Sequence, residues 1–160
     1  MVHRFWECVI GGTYPGHGEC YLDPNDVLWW AKGGELHGRS PARIAFLKQI
    51  VGSRPAAGID NIDKWQYTNI AGQAGQYYLV YFGRQQPSSW TFALPKHELR
   101  NGQRFRVDVI DTWNMTATPV DTTFTVRQSS QYQFADEQGG SVALPGRPWI
   151  ALRIVETPQD

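Results

Sequence analysis

The feature that most constrains what this chain can fold into is a change of hydrophobic period near residue 60. Arg104-Phe105-Arg106-Val107-Asp108-Val109 alternates charged and apolar side chains without a break. Successive side chains of a strand point to opposite faces, so this run reads as a strand with one face buried and the other in water. Further strands are expected at 77–83, 89–94, 113–118, 122–127, 131–135, 141–144 and 149–155. Pro87, Pro95, Asn101-Gly102, Pro119, Gly139-Gly140 and Pro145-Gly146 separate them. Breaks every ~8–12 residues are the spacing of an antiparallel sandwich.

The first 60 residues follow a different rule. Phe5, Trp6, Val9 and Ile10 recur at helical spacing, which predicts a short helix over 3–10. The following Gly11-Gly12-Thr13-Tyr14-Pro15-Gly16-His17-Gly18-Glu19 is too rich in glycine to stay helical and reads as a strand end feeding a loop. In Asp23-Pro24-Asn25-Asp26, Asp23 or Asn25 has the chemistry to cap a helical turn. Ser40-Pro41 predicts a helix start, with serine capping free N–H groups and proline at a position that needs no donor. Ile44, Leu47 and Val51, with Phe46 and Ile50 beside them, form one apolar stripe that Gly52 ends. Residues 53–58, with Pro55, read as a linker. The expected fold class is α+β and mainly β: two helices and a strand or loop at 1–60, then an antiparallel sandwich at 61–160.

Composition removes several function classes. The chain carries 15 Lys+Arg against 15 Asp+Glu in 160 residues. A split near residue 62 leaves six of each sign before it and nine of each after, so neither half hides a basic excess. Nucleic-acid and polybasic membrane-surface partners are therefore not expected. No apolar run nears the ~18 residues of a membrane span, and the start Met1-Val2-His3-Arg4-Phe5-Trp6-Glu7 lacks a secretory apolar core. As written, a cytoplasmic location is expected. Cys8 and Cys20 match no zinc or redox spacing and read as buried thiols, or as one disulfide if the protein is exported. Aromatics make up 13% of the chain, seven each of Trp, Tyr and Phe. They serve cores, and their flat faces also suit the C–H faces of sugar rings.

The blocks Arg4-Phe5-Trp6-Glu7, Gly11 through Glu19, Leu28-Trp29-Trp30-Ala31-Lys32-Gly33-Gly34-Glu35-Leu36-His37-Gly38 and Ser40-Pro41-Ala42-Arg43-Ile44-Ala45-Phe46-Leu47 resemble the end of a (β/α)8-barrel glycoside hydrolase. The group is the bacterial cellulase-like and apiosidase-like glycosidases with a small C-terminal β domain. Tyr77-Tyr78-Leu79, Phe82-Gly83, Pro87-Ser88 and Val107 through Thr116 extend the resemblance into that domain. It implies that residues 1–10 are the seventh barrel helix, residues near 13–17 the eighth strand and residues 40–51 the eighth helix. Active sites of such barrels lie at the C-terminal strand ends. His17 and Glu19 would then line the rim of a sugar pocket, with Trp29 and Trp30 as stacking walls. Retaining glycosidases need two carboxylates about 5–5.5 Å apart. The resemblance places both after the fourth and seventh strands, outside this chain, so the implied piece has no catalytic residue of its own and is inactive alone.

Blander readings stand beside these. Glu19 is a weak candidate for a catalytic carboxylate, a pocket-lining group or a structural carboxylate on the glycine turn; His17 is a sugar partner or a buried structural histidine. Trp29 and Trp30 are adjacent and point different ways, one to a core and one free to face a ligand. His37 reads as a turn residue, and Trp65, Trp90, Trp113 and Trp149 as core tryptophans. His3, His17, Cys8, Cys20 and Glu19 offer metal-ligand atoms with no supporting spacing, so no metal is expected. Gly16-His17-Gly18 is too little for a phosphate or dinucleotide loop, and no cofactor is expected. The implied partners are carbohydrate, through the parent enzyme, and the missing barrel portion or a second copy of the chain. A non-catalytic carbohydrate-binding module is the alternative, and a purely buttressing domain a third reading. The helical part is expected to pack its Phe5/Trp6 and Phe46/Leu47 surfaces on the sandwich or to mediate a homodimer.

Overall fold

The computed structural model describes residues 1–16, 21–22, 28–29, 38–63 and 65–157. Helix α1 spans Val2–Ile10 and α2 Ser40–Gly52. The strands are β1 (Tyr21–Leu22), β2 (Leu28–Trp29), β3 (Asp60–Asp63), β4 (Tyr67–Gln73), β5 (Tyr77–Tyr81), β6 (Ser89–Thr91), β7 (Ala93–Pro95), β8 (Arg104–Asp111), β9 (Thr116–Pro119), β10 (Phe124–Gln128), β11 (Gln133–Asp136), β12 (Ser141–Ala143) and β13 (Ile150–Thr157). The fold is mainly β with two helices, as the change of period predicts.

In place of two facing sheets, one nine-stranded antiparallel sheet runs β3-β4-β5-β13-β8-β10-β11-β7, with β9 beside β8. A ribbon of β6 and β12 accompanies it. The long sheet curls until its ends are linked. Tyr67 Oη on β4 donates to Gln133 Oε1 on β11 at 3.0 Å, and His97, just past β7, lies 3.5 Å from Asp63 at the end of β3. Both faces of the central strands are covered, which explains why β5 is buried at every residue. Tyr78, Val80, Leu152 and Ile154 face an interior built on Phe92, Phe105, Val107 and Phe124. Tyr77, Leu79, Tyr81, Ile110 and Ala151 face the helices.

The helices dock through the expected stripes. Val2, Trp6 and Ile10 of α1 and Leu47 and Ile50 of α2 are buried in that second cluster, with Phe5 and Phe46 at its margin. Trp6 is fully buried and stacks on Tyr81 at 5.4 Å between ring centres. Burying a side chain of this size stabilises by about 3 kcal/mol.

Several expectations need correction. Residues 13–16 form no strand: the Thr13 amide and hydroxyl both bond back to Cys8 O, at 2.8 and 3.1 Å, and close the end of α1. Ser40 is the first helical residue and makes no side-chain cap bond. Cys8 is half-buried and free, and Cys20 lies outside the described residues. The strand expected at 113–118 starts at Thr116, because Asp111 draws residues 112–115 into a turn with Met115 at φ 59°. The strand expected at 89–94 divides at Phe92 into β6, which pairs with β12, and β7, which pairs with β11.

Strand β4 was hidden by small residues. Ala71 is fully buried in the cluster that holds α1, and a Cβ on Gly72 would lie 2.0 Å from Tyr77 O. Close approach to the neighbouring backbone removed the large apolar side chains that would have marked the strand.

Candidate functional site

Of the residues the sequence singled out, His17, Glu19 and Trp30 lie outside the described residues, as does His37. Trp29 is described only through its backbone, paired with Tyr21 between β2 and β1. What the fold does describe is a cleft and two tryptophan corners.

The cleft, about 700 Å³ and open to solvent, lies between the first turns of α1 and the strand ends near Tyr81 and Arg84. His3 bridges two groups here: Nδ1 is 3.0 Å from Tyr81 Oη and Nε2 is 3.2 Å from Glu7 Oε1. Burial lowers the His3 pKa against the opposing pull of Glu7, so the neutral ring is favoured. Burial likewise pushes the Tyr81 phenol well above its usual value. A neutral imidazole between a carboxylate and a phenol holds a defined hydrogen-bond chain. Its partners tie α1 to β5, a positioning task.

The two corners share one local design. At the end of β3, Asp63 Oδ1 accepts the amides of Trp65 and Gln66 at 3.0 and 3.1 Å. At the end of β8, Asp111 Oδ1 accepts the amides of Trp113 and Asn114 at 2.9 and 2.8 Å. In each case an aspartate closing a strand folds the next residues into a turn and fixes a tryptophan two positions on. Each carboxylate also has a side-chain base beside it, His97 for Asp63 and Arg147 for Asp111.

The tryptophans then part company. Arg43 of α2 places its guanidinium 4.0 Å from the Trp113 ring centre, and Trp149 lies 5.2 Å away on a tilted plane. Arg43 is itself buried and donates to Arg39 O at 2.8 Å, so the stack clamps the start of α2 to the sheet. Trp65 is 94% exposed. The expectation of core tryptophans is therefore corrected for Trp65, which projects into solvent, and for Trp113, partly exposed within a stack; Trp90 is half-buried and packs against the interior cluster, and Trp149 is half-buried. The signal for both turns was present as Asp-x-Trp followed by an amide residue. Hydrophobic periodicity does not register it.

Neither aspartate is set up as a general acid, which needs a raised pKa. For Asp111 burial pushes upward, but hydrogen bonds from the Asn114 amide and side chain, with Arg147 nearby, hold the carboxyl below its usual range. For Asp63 desolvation also opposes, and the amides of Gln66 and Trp65 prevail. Among the described residues no group of His, Cys, Asp and Glu is arranged to hold a metal, and no helix is long and apolar enough to cross a membrane.

Comparison with solved structures finds a crystal structure from Bacteroides vulgatus ATCC 8482 described as that of a putative glycoside hydrolase. It is 32% identical, superposes with a TM-score of 0.84 and matches 98% of this chain. This chain spans 32% of that protein's length. No curated protein matches. A family model matches residues 65–155, more than half of the chain, from the Trp65 turn through most of β13. The chain thus belongs to the family described as Domain of unknown function (DUF5605).

Proposed function

We propose that this chain is a C-terminal part of a glycoside hydrolase. Residues 1–60 form the last helices and rim of its barrel, and residues 61–160 a sandwich-like accessory domain that buttresses it. The observation that carries this reading is the match of 98% of the chain, helices included, at 32% identity to a portion of the Bacteroides vulgatus protein described as a putative glycoside hydrolase. The packing supports it: α1 and α2 share a continuous apolar cluster with the sheet. In this role His17, Glu19, Trp29 and Trp30 contribute to the sugar-binding rim, and the acid/base and nucleophilic carboxylates come from outside the chain.

Aryl glycosides and plant oligosaccharides test the proposal in two arms. The chain alone is expected to give no turnover, and its fusion to the residues encoded upstream is expected to give turnover that falls on His17→Ala. Turnover by the chain alone that Glu19→Gln abolishes would overturn the reading.

A further inference from the structure

We propose that the cleft between α1 and the chain just past β5 is a binding site for a hydroxylated monocarboxylate of the size of a hexuronic acid. Its walls are held in place. Gly83 has φ 60°, and a Cβ there would lie 3.2 Å from His3 Cε1, so the His3 ring packs directly on the backbone of this turn. The Trp149 amide donates to Gly83 O at 2.7 Å, and the Gln85 amide donates to Phe82 O at 3.0 Å. Arg84 thus stands on a turn pinned on both sides, and it lines the same cleft as His3, Glu7 and Asn69. Walls fixed before a ligand arrives lower the ordering cost of binding.

Charge and polarity in the cleft decide its occupant. Two guanidiniums, Arg4 and Arg84, line it against one carboxylate, Glu7. Arg4 is engaged by that carboxylate at 2.8 Å, and burial keeps His3 neutral. Arg84 is left exposed, with no acidic partner among the described residues. A guanidinium takes a carboxylate through two parallel N–H···O bonds. A phosphate dianion would bring its second charge towards Glu7, whose side chain is 40% exposed beside the same space. The apolar lining residues Ile10 and Phe82 are buried, so an apolar side chain or a stacking ring finds no open wall. Thr68, Asn69 and Gln85 are exposed polar groups that offer donors and acceptors to hydroxyls. The volume of about 700 Å³ matches one small molecule and not a macromolecular surface.

The choice of sugar acids as probes rests on the glycoside hydrolase reading; carboxylate binding at Arg84 does not, because it is measured on this chain without hydrolysis. Nuclear magnetic resonance titration of the isotope-labelled chain compares galacturonate, glucuronate and gluconate with glucose and with inorganic phosphate. At least one sugar acid, at millimolar concentration, is expected to shift the amide signals of Asn69 and of residues 83–85, and glucose to bind about tenfold more weakly or worse. Arg84→Gln should weaken binding by about tenfold or more through loss of the charge-assisted pair. Arg84→Lys should keep part of it, since it restores the charge without the fork, and Asn69→Ala should cost a smaller factor. Both positions are exposed, so the melting temperature should be unchanged in all three variants. The proposal is overturned if no sugar acid shifts those amides, if glucose binds as tightly, or if Arg84→Gln binds as the unsubstituted chain does. Phosphate binding as tightly as every sugar acid would also overturn it, by leaving a bare anion site.

Discussion

The two aspartate–tryptophan corners show how one local device serves two ends. Asp63-x-Trp65 and Asp111-x-Trp113 use the same carboxylate oxygen and the same pair of amides, at nearly the same distances. Local chemistry therefore makes the turn, and the neighbourhood makes its meaning. Beside Trp113 stands the start of α2 with Arg43, and the ring becomes part of the joint between helix and sheet. Nothing among the described residues stacks on Trp65, at the linked ends of the curled sheet, and its ring stays available.

The comparison breaks most visibly at the aspartates. Asp111→Ala removes a buried carboxylate, strands the amides of Trp113 and Asn114 and leaves the half-exposed Arg147 without its partner. Chemical denaturation should record a loss of about 3 kcal/mol. Asp63→Ala, in a more exposed setting, should cost clearly less; equal losses would mean that the two turns are equally structural. Trp113→Ala comes next, at about 2 kcal/mol from the lost stack on Trp149 and Arg43. The same change at Trp65 should leave the midpoint where it was.

Arg43→Ala removes the cation from Trp113 while keeping the indole, and should cost about 1 kcal/mol. It should also move tryptophan emission to longer wavelength as the ring meets water. An unchanged spectrum would mean that the clamp does not form.

The smallest effect is a dependence on pH that separates the corners from the helix. Asp63 and Asp111 are both held below the usual carboxylate value, so their contribution is complete above pH ~4 and is lost as the pH falls through their folded pKa values. His3 is also lowered, from 6.5, by burial. Its neutral form is the folded one, so stability should decline as the pH falls below 6.5, before either aspartate titrates. His3→Gln should flatten that first slope and leave the acid limb intact. A slope that survives the substitution would assign it elsewhere.

Much of the architecture was legible residue by residue. The alternation at Arg104–Val109 became β8, with Phe105 and Val107 inward and Arg104 and Arg106 outward. The stripes on α1 and α2 became the faces that dock on the sheet. Strand β4 was not legible because Gly72 lies where the neighbouring backbone leaves no room for a side chain and Ala71 is fully buried against the helices. The resemblance to glycoside hydrolases was legible in motif blocks and stands beside a structural match over nearly the whole chain. The fate of each tryptophan was not legible, since residue type sets the wish to be buried but not which partner arrives.

The sequence by itself determined both described helices, the alternating strands such as β8, their inward residues and the two aspartate turns, because periodicity and hydrogen-bond competition act over a few neighbouring residues. Only the tertiary structure decided that the sheet curls into one body, with Tyr67 meeting Gln133 across it. It alone decided that Arg43 covers Trp113 while Trp65 faces solvent. Those outcomes depend on contacts between residues about 65–70 positions apart in the chain, which no local pattern encodes.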